Sequence, residues 1–133
     1  MSTPAYLLAA SVILTWVMLV CASVIRSRSW TPAGMLLAFG NRDNLTPASP
    51  AAARADRAAK NMLENLPLFA ALLLGAWFVG VPAEDLAVGS HLFFWARLAY
   101  FPVYLVGIPY LRTGLWAVSV VGMAIIAVNL FSA

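Results

Sequence analysis

Apolar residues come in long runs along this chain, and polar residues gather between them. The first run, Ala5 to Ile25, carries no charge and is closed by Arg26 and Arg28. A membrane-spanning helix needs about 20 such residues, so a first helix is expected over about 5–25. Pro4 suits its first turn, and Trp30 suits the interface beyond its end. Thr31-Pro32, Gly40-Asn41-Arg42-Asp43-Asn44 and Thr46-Pro47-Ala48-Ser49-Pro50 are turn material, so residues 29–50 read as a loop. Within it, Met35 to Phe39 is an apolar patch too short to span. Ser49-Pro50 then predicts an N-cap followed by proline at the first helical position.

The second helix is expected over about 50–79. At about 1.5 Å per residue it is about 45 Å long, more than the hydrocarbon core, and its first turns project into the headgroup region. Pro67 removes one of its backbone hydrogen bonds and is a candidate kink. Gly80 to Asp85 reads as a tight turn, a third helix follows over about 86–108, residues 109–114 turn again, and a fourth helix covers about 115–131. The pattern predicts an all-α membrane protein: one domain over 1–133, a bundle of four transmembrane helices.

Composition strengthens this reading. Hydrophobic residues make up 63% and charged residues 10%, against roughly half and a quarter in a soluble domain. The net charge of +3 has no extended basic face behind it, which argues against nucleic-acid binding. The N-terminus has no basic region before its apolar run, and the run is too long for a cleaved signal peptide. Six of the eight Lys and Arg residues lie between Arg26 and Lys60, so that segment is expected in the cytoplasm. The Glu84–Asp85 turn then faces the opposite side, Arg112 the cytoplasm again, and both termini are external.

Charge placement also marks the candidate chemistry. Arg54, Arg57, Asn61 and Glu64 stand at i, i+3, i+7 and i+10, one stripe of one helix running to the membrane edge. Arg97, Tyr100 and Tyr104 stand at i, i+3 and i+7 on the third helix. Arg97 falls near mid-bilayer and must face protein or water, with Glu64 as its expected partner. Arg26, Arg28 and Arg112 flank the cluster from the cytoplasmic turns. Positive charge exceeds negative here, and such a pocket takes an anion. Glu64 is free to accept from an ammonium on the same ligand, while a second, apolar molecule reaches the site through the bilayer. HExxH, GxSxG, CxxC and P-loop patterns are absent, and the single His91 has no second histidine for a metal site. A small four-span exporter fits poorly, because such exporters rely on a carboxylate in the first helix and this one has none.

Arg57-x3-Asn61-x2-Glu64-x2-Pro67 resembles the signature of the MAPEG superfamily, membrane-associated proteins in eicosanoid and glutathione metabolism. Arg97-x2-Tyr100-x3-Tyr104, followed by Arg112, looks like that family's third-helix motif. Gly40-Asn41-Arg42-Asp43 with Glu64-Asn65-Leu66-Pro67 is similar to its bacterial members, which implies a bacterial inner membrane. The resemblance covers essentially the whole chain.

It implies a homotrimer that binds glutathione as cosubstrate near the cytosolic face, between adjacent subunits. Arg57, Asn61, Glu64, Arg97, Tyr100, Tyr104 and Arg112 match ligand-binding positions. Arg26 matches the arginine that stabilises the thiolate, with Arg28 the second choice. The expected reaction is attack of that thiolate on a lipophilic electrophile or hydroperoxide. The alternative is a non-catalytic four-span protein that binds a lipid or another anionic ligand.

Overall fold

The structure is a computed structural model that describes residues 2–41 and 46–133. Arg42 and Asp43, part of the expected loop signature, lie outside the described residues. The described chain folds into α1 (Thr3–Ser27), α2 (Pro32–Phe39), α3 (Pro50–Phe78), α4 (Ala83–Val106) and α5 (Pro109–Phe131). The four long helices form a bundle. α3 and α4 each touch all the other long helices, whereas α1 and α5 lie on opposite sides and do not meet.

Local chemistry explains where the helices begin and end. Ser49 caps α3 by accepting from the Ala52 amide at 3.2 Å, with Pro50 following. Glu84 and Asp85 sit in the first turn of α4, where negative charge favours the helix dipole. Gly107 ends α4 with φ +89, a left-handed conformation that glycine adopts without steric cost. Pro109 then starts α5 with its φ already helical.

Two expectations are corrected here. The Met35–Phe39 patch belongs to α2, a short helix capped by the Thr31 hydroxyl, which accepts from the Gly34 amide at 3.0 Å. α2 folds back sharply because residue 34 is glycine: a Cβ there would lie 2.1 Å from the Arg28 carbonyl oxygen. Residues 109–114 form the first turns of α5, because Gly107 completes the reversal before Pro109. α3 continues past Pro67, which lies on an exposed face and leaves the Leu63 carbonyl without its helical donor.

Among the described residues, three helices, α1, α3 and α5, are long and apolar enough to cross a membrane. α4 has the length but is less apolar, because Arg97, Tyr100 and Tyr104 interrupt it. All three side chains are buried, facing neighbouring helices. Polar hydroxyls on α1 are satisfied locally: Ser11 donates to the Leu7 carbonyl at 2.8 Å and Thr15 to the Ser11 carbonyl at 2.7 Å.

Candidate functional site

The polar stripe of α3 meets α4 residue by residue along an antiparallel seam. Nearest the N-terminal end of α3, Arg54 Nε donates to the Leu105 carbonyl at 2.9 Å. That carbonyl has no helical donor, because the residue four further on is Pro109. Next, Arg57 Nε approaches the Tyr104 hydroxyl oxygen at 3.4 Å. Then Asn61 Oδ1 accepts from Arg97 Nη1 at 2.6 Å. Deeper still the seam turns apolar, and Phe69 stacks on Phe93 with ring centroids 4.0 Å apart.

Arg97 therefore pairs with Asn61, not with Glu64. The buried stripe of α3 runs through Met62, Asn65, Phe69 and Leu73. Glu64 is about 100° of helix rotation from Asn65, and this leaves its carboxylate exposed. Arg97 is fully buried.

Beside this seam, α5 completes a cleft of about 240 Å³ lined by Asn61, Tyr100, Tyr104, Arg112, Thr113 and Trp116. The Arg112 guanidinium carbon lies 4.7 Å from the Tyr104 ring centroid, and that ring meets Tyr100 edge-on at 5.3 Å. No carboxylate lines the cleft. Its polar groups are an amide, two phenols, an alcohol and a guanidinium, suited to an anionic ligand.

Arg26 lies elsewhere. It opens onto a second cleft, between α1 and α3, with Ser23, Asp56 and Lys60. Because α1 and α5 sit on opposite sides of the bundle, one chain cannot bring Arg26 to Arg112. Arg28 is exposed just past α1, with a left-handed φ of 54. The structure thus brings together Arg57, Asn61, Tyr100, Tyr104 and Arg112, puts Arg97 behind Asn61, and leaves Glu64 and Arg26 facing outward or away.

Thr113 and Trp116 are cleft residues that the sequence reading did not single out. Their signal was Pro109: a helix starting there puts Arg112, Thr113 and Trp116, at i, i+1 and i+4, on one face. His91, near the other end of α4, accepts at Nδ1 from Trp95 Nε1 at 3.3 Å on an exposed face of that helix.

The MAPEG family model matches residues 3–132. The chain belongs to the MAPEG family. No curated protein and no solved structure matches it. Membership and the three apolar helices make it an integral membrane protein of a family that includes glutathione transferases and peroxidases.

Proposed function

We propose that this MAPEG protein is a glutathione-dependent membrane enzyme. The observation that carries the reading is the carboxylate-free cleft between α3, α4 and α5, where Asn61, Tyr104 and Arg112 converge and Arg57 reaches Tyr104. Arg57 and Arg112 would hold carboxylates of the tripeptide. Asn61 and the tyrosine hydroxyls would hold its amide groups, and the exposed Glu64 its ammonium.

The thiol proton passes to water, and the thiolate sulfur forms a bond to an electrophilic carbon as the leaving group departs with its electron pair. With a hydroperoxide, two glutathiones become the disulfide while the substrate is reduced to an alcohol and water. Adjacent positive charge lowers a thiol pKa from its usual value of about 8.5. Arg26 is assigned that role, which requires a second chain: a neighbour's α1–α3 face set against this cleft would bring its Arg26 to the thiol. A homotrimer is proposed on this ground. The lipophilic substrate would arrive through the bilayer.

The placement of Arg26 also favours a second reading. If no neighbour closes the cleft, the protein is a non-catalytic binder of an anionic ligand. Calorimetry with glutathione and with S-hexylglutathione tests binding, and native mass spectrometry from mild detergent tests the trimer. Binding without thiolate absorbance at neutral pH supports the second reading, and no binding of either ligand sinks the first.

A further inference from the structure

Arg97 has no evident reason to be an arginine on stability grounds. It is 0% exposed, and Nη1 makes its one hydrogen bond, to Asn61 Oδ1. Nε and Nη2 have no hydrogen-bond partner among the described residues. Its guanidinium carbon lies 5.5 Å from the Phe93 ring centroid and 5.4 Å from that of Tyr100. Such rings offset part of the desolvation cost of the charge. An apolar side chain of similar volume would fill the same space without that cost.

The arginine acts on its neighbour. Asn61 lies between Arg97 and the cleft. A free asparagine amide can present either its oxygen or its NH2 to a ligand. Arg97 engages Oδ1 from behind, so Nδ2 is the group left for the cleft. A parallel arrangement holds at Tyr104, whose oxygen accepts from Arg57 and whose own proton is free to donate. With Arg112 alongside, this part of the wall presents donors, whereas the Thr113 hydroxyl donates to the Pro109 carbonyl at 3.0 Å.

We infer that Arg97 is a positioning residue: by pinning Asn61 Oδ1, it sets the cleft to take a carboxylate or amide carbonyl of the bound ligand at Asn61 Nδ2. This rests on the proposed function only in naming glutathione as that ligand.

The test compares Arg97→Met, Arg97→Lys, Asn61→Ala and Asn61→Asp in the full chain in detergent. Arg97→Met removes the donor at similar volume. It should keep or raise the melting temperature, yet raise KM for glutathione roughly tenfold, about 1.4 kcal/mol, while kcat at saturation stays within about threefold. Arg97→Lys keeps a donor and should restore most of the affinity. Asn61→Asp pairs with Arg97 but turns an acceptor to the cleft, so it should bind more weakly than Asn61→Ala. A folded Arg97→Met protein with wild-type KM overturns the inference, as does Asn61→Asp binding at least as well as Asn61→Ala.

If the wild-type chain binds no glutathione, the proposed function falls and the inference is read at Asn61 itself. In protein labelled with 15N-asparagine, Arg97→Met should shift and broaden the Asn61 side-chain amide resonances, and Arg97→Lys should move them less. Unmoved resonances in Arg97→Met overturn it.

Discussion

α4 packs by two different means along its length. Toward its C-terminal end it meets α3 through polar side chains: Arg54 with Leu105, Arg57 with Tyr104, Asn61 with Arg97. Toward the other end it meets α5 through backbone. There Gly89 and Gly122 face each other so closely that a Cβ on either would lie 2.5–2.6 Å from the other's carbonyl oxygen. Close backbone approach at small residues is how helices pack where water supplies no drive for association. The glycine end tolerates no added atom. The polar end is held by single hydrogen bonds, each modest. Close backbone packing and polar side-chain pairing are thus divided along one helix.

The largest expected effect comes from breaking the rigid end. Gly122→Leu sets a Cβ 2.6 Å from the Gly89 carbonyl oxygen and 2.9 Å from the Phe93 amide nitrogen. Both obstacles are backbone, so the cost should exceed the usual 1–3 kcal/mol or so of overpacking. The folded peak in size-exclusion chromatography should vanish; a normal peak would show that α4 and α5 can separate freely.

At the polar end, losses should fall on function. Arg26→Ala should leave the melting temperature nearly unchanged, because Arg26 lines an open cleft. If a neighbour's Arg26 stabilises the thiolate, its loss raises the thiol pKa of bound glutathione. Turnover needs the thiolate, so the rising limb of the pH profile should move to higher pH. Activity at a pH below both pKa values should fall roughly tenfold for each unit of that rise. Thiolate absorbance against pH checks this, and superimposable titrations remove Arg26 from the mechanism.

Glu64→Gln is the next step down. The side chain is exposed and its loss should not affect folding. A charge-assisted bond to the ligand ammonium contributes about 1.5–3 kcal/mol, so glutathione should bind at least tenfold more weakly by calorimetry. Unchanged affinity would shift recognition of the amine elsewhere.

Arg54→Ala should have the smallest effect. It leaves the Leu105 carbonyl without its donor at the end of α4 and should destabilise the fold by about 1 kcal/mol. Glutathione affinity should be unaffected, since Arg54 does not line the cleft. A binding loss as large as that of Glu64→Gln would mean that the seam and the cleft are one unit.

Much of this protein follows from local sequence. Uncharged runs dictate helices because a membrane leaves backbone groups no other partner. The spacing of Arg54, Arg57, Asn61 and Glu64 was enough to put them on one stripe, and that of Arg97, Tyr100 and Tyr104 on another, because helix geometry repeats whatever the surroundings. The two motifs in order also pointed to the MAPEG family. What spacing could not supply is which stripe faces which. Glu64 looked like the partner of Arg97 because opposite charges attract at any separation a sequence can suggest. Packing instead turned Asn61 inward and Glu64 out, since hydrogen bonding needs a specific angle about the helix axis as well as a matching depth. The same holds for Arg26. Its depth agrees with the cleft, but α3 and α4 stand between α1 and α5. Side and partner are properties of the assembled bundle, fixed only when all four long helices have packed.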